Sequence, residues 1–400
     1  MGLLVLMGSA GICFDVGYLE HTQRQMQTAA DAAATAGAQE IVSGASSQIV
    51  TAAQIAATSN GFTNGTSNVI LTINNPPLSG YYAGNADAVE AIVTQAAPTF
   101  FMRAFSINTA TVYARAVASQ VTSPNCVFAL DPTMADALEA NNDANVKVGC
   151  GVIDDSSSSS AAFATGSASI NATGINVVGG YSYNNNGSFS PTPKTGVLPI
   201  TDPLAAIPAP TVGSCTQTDP NWQQLGGQTI TLYQGTYCGS GLDIENGMKA
   251  TFTSGTYIIS GNGMHIAGGS TVTGSNVMFY ITKGNGYSFA PLIIDNGTTV
   301  NFSAPTSGTY TGILFFQDRS ITTANTANSA TSLAGGANMT LTGAIYTPGT
   351  QLNVSNGTNT SASYTIIVAD SILFQGGITL NANYTGLTGG SPIQVATLGE

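Results

Sequence analysis

The stretch DVGYLEHTQRQMQTAADAAATAGAQE, residues 15–40, decides how the chain begins to fold. It is rich in strong helix formers and has no proline, so it reads as helix. Met26, Ala29, Ala30, Ala33, Ala34 and Gly37 recur at steps of three and four, which gathers small side chains on one face. Such a face lets a neighbouring backbone come close. Upstream, MGLLVLMGSAGICFDVGYL carries Asp15 as its one charge. A membrane span needs about 20 apolar residues, and a secretory signal has a basic front and a small-residue cleavage site. This run lacks both signal features and flows into the helix. It reads as a membrane helix whose cytoplasmic lead-in is processed away or lies outside the sequence; a buried helix in a soluble fold is the alternative on length grounds. Leu3, Leu4, Leu6 and Phe14 anchor it, with Asp15, Gly17 and Tyr18 at the junction. Unbroken from Leu3 to about Ala57, the helix would be about 80 Å long and would need lipid or other helices, sister copies included, to cover it.

An apolar run ending in DVG, an aromatic at Tyr18, then RQMQTAADAAATAGA (24–38) resembles the N-terminal signature of TadE/TadG-like Flp pilus-assembly proteins. APTFFMRAFSINTATVYARAVA (97–118) resembles the segment that follows the helix in that family. Thr35 stands where the family usually has a larger apolar residue. The resemblance implies a bacterial envelope protein, single-pass or appendage-associated, with an extracytoplasmic body. Its partners would be the membrane or other pilus subunits.

Charged residues make up 7% of the chain, against roughly 25% in an average protein, while 43% is hydrophobic. That balance suits a folded chain with a polar, uncharged surface. The net charge of -12 reflects 20 acids against 8 Lys and Arg, and those cations are scattered singly. No basic groove for nucleic acid can be assembled from them. Of five cysteines, Cys13 lies in the apolar run. Cys126 with Cys150, and Cys215 with Cys238, form two local pairs without the close spacing of metal sites. Two disulfides in an oxidising compartment fit best, each contributing about 3 kcal/mol on the chain-entropy model; free buried thiols are the alternative.

After a helical part at 1–58, residues 59–122 read as a small α+β module. NVILTINN and INTATVYARAVASQV alternate as strands do, and NADAVEAIVTQAAPTFFMRAF reads as helix broken at Pro98. From 123 to 400 nearly every apolar cluster is short and bounded by Gly, Asn, Ser or Thr, although DPTMADALEANNDANVKV could hold one short helix. QGTY at Gln234 and SGTY at Ser254 repeat after roughly one coil of a β-solenoid. The predicted class is therefore mainly β with a long N-terminal α-helix, the body a β-helix or solenoid; a β-sandwich or jelly roll is the alternative. The Pro-rich connector 191–210 either separates two stretches of the body or runs along its side.

Candidate chemistry is sparse. Asp154, Ser156 and Ser158 fit the D-x-S-x-S loop of von Willebrand-type domains, whose oxygens suit Mg²⁺, but sit in a DDSSSSS run without the surrounding elements. Asp243 in GSGLDI fits one copy of a calcium-binding nonapeptide, but those repeats work in tandem, and a single copy reads as an ordinary tight turn. Asp243, Glu245, Asp295 and Asp318 are the acids a polysaccharide hydrolase would draw on. His21 and His265 show no partner at catalytic spacing, and no nucleotide or hydrolase fingerprint occurs. The reading is of a non-catalytic structural component without a cofactor. An adhesin or self-assembling filament subunit is the first alternative, a polysaccharide-active enzyme the second.

Overall fold

A computed structural model describes residues 2–218, 225–322, 328–334, 338–355 and 362–399, with backbone alone at 2–10 and 217–218. Two compact units emerge: Met1–Thr122 with Gln394–Glu400, and Ser123–Ile393. The second is thus inserted between two strands of the first.

In the first unit α1 spans Gly2–Val42 and α2 spans Ile49–Ser59. The helix expected to run on to Ala57 is broken between them. Gly44, at φ 73°, takes the left-handed conformation that ends helices at little cost for glycine, and α2 folds back onto α1. Strands β1 (Val69–Asn74), β2 (Ala88–Pro98) and β3 (Thr109–Thr122) form an antiparallel sheet with the strand Gln394–Leu398, which lies beside β3. The helical reading of NADAVEAIVTQAAP is therefore overturned. Propensity is a weak prior, and β2 gains a ladder on each side, with Ile92 opposite Thr72 and Arg115.

The small face of α1 is the main surprise of this unit. Met26, Ala30, Ala33 and Ala34 are fully buried in one cluster with Val89, Ala91, Val93 and Ala116 of the sheet. Gly37 is needed for the approach: a Cβ there would lie 2.8 Å from Val89 Cγ1. The face read as awaiting other helices is covered by the chain's own strands. On β2, between β1 and β3, buried Glu90 accepts from Arg115 at 2.6 Å and Asn74 at 2.7 Å. Burial would raise its pKa, but these donors hold it below the usual range.

In the second unit strands recur in threes, most of them paired in parallel with the strand three places on. One ladder runs through Gly235–Cys238, Gly255–Ser260, Val277–Thr282 and Ile313–Gln317 to 343–347 and 365–369. There it passes to Asn125–Ala129, then Gly151–Asp154 and Gly174–Val177. The chain thus enters at mid-stack, beside the rung that it forms last. A second ladder includes Leu242–Ile244, Met264–Ile266 and Leu292–Ile294; a third includes Lys249–Phe252 and Thr271–Gly274. Inward residues such as Tyr257, Phe279, Phe302 and Phe315 form a continuous core. Residues 131–148 hold strands Leu138–Ala140 and Asn145–Val148 where a short helix was expected.

This order requires the chain to return from one end of the stack to the other, and the Pro-rich segment does so along its side. Lys194 N–H donates to Ile175 O, Ile200 N–H to Asp155 Oδ1, and Leu204 O accepts from Arg319. Farther down, Gly213 O accepts from Asn285. Each successive contact falls on a lower rung. Proline lacks an N–H and favours extended backbone, so this strap needs few ladder partners. Leu204 is buried, and Arg319 covers the rings of Phe316 and Tyr346 at 4.9 and 5.1 Å. Disulfide Cys215–Cys238 fastens the strap's lower end, and Cys126–Cys150 joins neighbouring rungs, with Cα separations of 5.7 and 5.8 Å.

Candidate functional site

The feature that sets the first unit apart is the grip of a loop on the front of α1. Asp15 is buried, and its carboxylate accepts the N–H groups of Phe100 (2.8 Å), Phe101 (2.9 Å) and Met102 (2.7 Å). These are free donors at the start of the short 3₁₀ turn Met102–Phe105, so the carboxylate caps it. Phe100 meets Phe14 and Tyr18 edge-on at 5.6 and 5.2 Å, and Phe101 meets Phe14 at 5.9 Å. A Cβ at Gly11 would lie 2.7 Å from the Phe101 ring, so the glycine makes room for it. Thr99 N–H donates to Asn108 O at 3.1 Å and closes the loop's base.

This grip does not cover the helix completely. Ile12, Phe14 and Val16 stay exposed, Phe14 by 57%, as does the free Cys13. Gly17 is exposed and Tyr18 half-buried. Leu3, Leu4 and Leu6 lie outside the described side chains. Among the described residues, no helix is long and apolar enough to cross a membrane.

In the second unit, Asp243, His265 and Asp295 stand in line up the second ladder. His265 Nδ1 lies 3.2 Å from Asp243 Oδ1, and Nε2 lies 3.0 Å from Asp295 Oδ2. The expectation that His265 has no partner is corrected. Its side chain points outward, as alternation with the buried Met264 and Ile266 requires. Burial works against the charged ring, but Asp295 and then Asp243 outweigh it and raise the pKa above the usual histidine value. Both carboxylates are engaged by the same imidazole, on an open face. Asp318 lies elsewhere, on the first ladder's edge, accepting from Thr282 Oγ1 at 2.5 Å and Ser320 N–H at 2.8 Å. Glu245 makes a hydrogen bond to its neighbour Asn246.

Asp154 is fully buried at the inner end of its strand, and Oδ1 accepts Ser156 N–H at 3.0 Å. Among the described residues, Oδ2 has no hydrogen-bond partner. Burial first, then the charges of Asp155 and Asp131, push its pKa up to about 7 against the Ser156 N–H. Ser156 Oγ donates to Met134 O, and Ser158 N–H donates to Ser156 Oγ at 3.2 Å. The Ser156 and Ser157 hydroxyls of the DDSSSSS run are thus bonded to backbone carbonyls of Met134 and Pro132. Among the described residues, no group of three or more His, Cys, Asp and Glu side chains is placed to hold a metal.

Comparison with known families gives two matches. Residues 1–40 match the putative Flp pilus-assembly TadE/G-like family. Residues 185–385, half of the chain, match a family described as a domain of unknown function, DUF7305. The chain belongs to the DUF7305 family. Comparison with curated proteins and with solved structures finds no match. In this DUF7305 chain the family match takes in the strap and the rungs from Gln217–Thr218 to Ile378–Leu380. The TadE/G-like match takes in both the exposed apolar front of α1 and its buried small face.

Two features of this DUF7305 protein escaped the sequence reading. In sequence Asp15 marks only a junction, because its partners lie more than 80 positions away and are backbone groups, which no motif reveals. The line of Asp243 and His265 follows from their separation of 22 residues, about one repeat of the GTY pattern, and was open to reading.

Proposed function

We propose that this protein is a non-catalytic structural component of a bacterial pilus-assembly or surface-appendage system. Its front helix sits in the cytoplasmic membrane or packs against other appendage subunits. The second unit is an extracytoplasmic β-solenoid body, and three parallel ladders with period-three pairing support that architecture. On this reading the helical part at 1–58 anchors, the module at 59–122, completed by the strand Gln394–Leu398, joins, and the body at 123–393 is displayed.

One observation carries the reading: the TadE/G-like segment is two-sided along its length. From Met26 its apolar face is buried in the chain's own sheet, whereas Ile12, Phe14 and Val16 stand exposed on an apolar front. Water-exposed apolar surface of this kind marks an interaction site. Deleting the gene should abolish or shorten surface appendages in electron micrographs, and re-expression should restore them. Unchanged appendages in the deletion strain would sink this reading.

A filament subunit is the second reading, favoured by the last rung. Tyr181–Tyr183 and Ser188–Ser190 have a strand partner on one side, among the described residues, and Tyr183 is exposed. Such edges accept another strand unless blocked. Negative-stain images of purified protein separate the two, since a subunit would form rods. An enzyme is disfavoured by the pairing of Asp243 and Asp295 with one histidine. A depression of about 370 Å³ lined by Lys147, Asn171, Ser190 and Thr379 has no carboxylate in its lining.

A further inference from the structure

We propose that loop 99–107 is a lipid-seating collar: Phe100, Phe101, Phe105 and Ile107 enter the interfacial layer of a phospholipid bilayer around the helix that they grip, with Arg103 on its headgroups. The proposal rests on the membrane seat given to the front helix above.

The loop exposes four large apolar side chains in eight residues, Phe105 by 69%. A soluble surface rarely gathers so many, and aromatic rings favour the boundary between headgroups and acyl chains. The patch is continuous with the apolar front of α1 through the ring contacts of Phe14 with Phe100 and Phe101. Residues 97–108 contain no acid, and Arg103 is exposed there, in a chain with 20 acids and 8 Lys and Arg. The acid nearest the loop is Asp15, buried beneath its N–H groups, so the charge that the loop presents at its surface is Arg103's, which suits anionic headgroups. The three N–H bonds to Asp15 and the closure of Thr99 on Asn108 hold the loop in place beforehand, so little ordering remains for insertion. A sister helix would bury the rings equally well, and the experiment separates that occupant from lipid.

The full chain, with Trp222→Phe and Phe105→Trp, is reconstituted into phosphatidylcholine–phosphatidylglycerol vesicles whose acyl chains carry bromine near the headgroup end. Tyr183→Trp in the second unit serves as the reference. If the collar sits in lipid, Phe105→Trp loses most of its emission while Tyr183→Trp keeps its own, and Phe105→Ser plus Ile107→Ser lowers the fraction of chain floating with vesicles. If the chain floats but Phe105→Trp keeps its emission, the collar is overturned and the membrane seat stands. If the chain does not float at all, both are overturned.

Discussion

Asp15 on the front helix and Met102 in the loop beyond β2 are joined by a 2.7 Å hydrogen bond across 87 positions of sequence. With Phe100 and Phe101 donating to the same carboxylate, one side chain fixes where the loop meets the helix. Asp15→Ala should therefore free three backbone donors at once. Hydrogen exchange at Phe100, Phe101 and Met102 should accelerate strongly, while amides in the centre of β2 keep their protection. Unchanged exchange at all three would remove the clamp from the account.

Gly37 permits the closest approach of α1 to the sheet. Gly37→Leu would force a side chain into Val89 and should destabilise the first unit by about 1–3 kcal/mol, as overpacked cores do. Thermal unfolding reads the loss, and Gly17→Leu, at a position with nothing within 4 Å of an added Cβ, should cost far less. Equal losses would mean that the helix does not seat on β2 as described.

Asp154 is held neutral more easily in the folded state than in the unfolded one. An acid whose folded pKa is raised lowers stability as pH climbs from the ordinary value of 3.8 through about 7, and the full penalty persists above that. The penalty is on the order of 4 kcal/mol. Asp154→Asn should thus stabilise the body at pH 8 and lose its advantage near pH 4. A constant difference between variant and parent across that range would contradict the buried, unpartnered carboxylate.

His265 has the opposite sign. Its raised pKa adds stability that is complete below the ordinary histidine range and disappears as pH rises through the folded value. The groups are about a third to half exposed, so the effect is at most about 1 kcal/mol. His265→Asn should lessen the parent's decline in melting temperature between pH 6 and 9, leaving the part that Asp154 causes. If parent and variant follow the same curve, the Asp243–His265–Asp295 line carries no charge.

The sequence made some of this fold easy to read and hid other parts for physical reasons. The small face from Met26 to Gly37 is plain from its spacing, yet alanines and glycine cannot tell whether helix or sheet will cover them. Ala88–Pro98 contains good helix formers, and only its neighbours in space turn it into strand. The short clusters after Cys126 announce β structure, and the disulfide partners are near in sequence. Which rung follows which is another matter. Val127 pairs with Ile367 across most of the chain, so the entry at mid-stack has no local signal, and the strap's course depends on it.

The central claim is that an apolar, partly uncovered front helix holds this protein in the cell envelope. Fractionation of native cells, with a carbonate wash of the membranes and a shearing step for appendages, tests it most directly. The account predicts that the chain stays with washed membranes or leaves with sheared appendages. Finding it wholly in the soluble cytosolic fraction, monomeric and with Cys126, Cys150, Cys215 and Cys238 reduced, would contradict it.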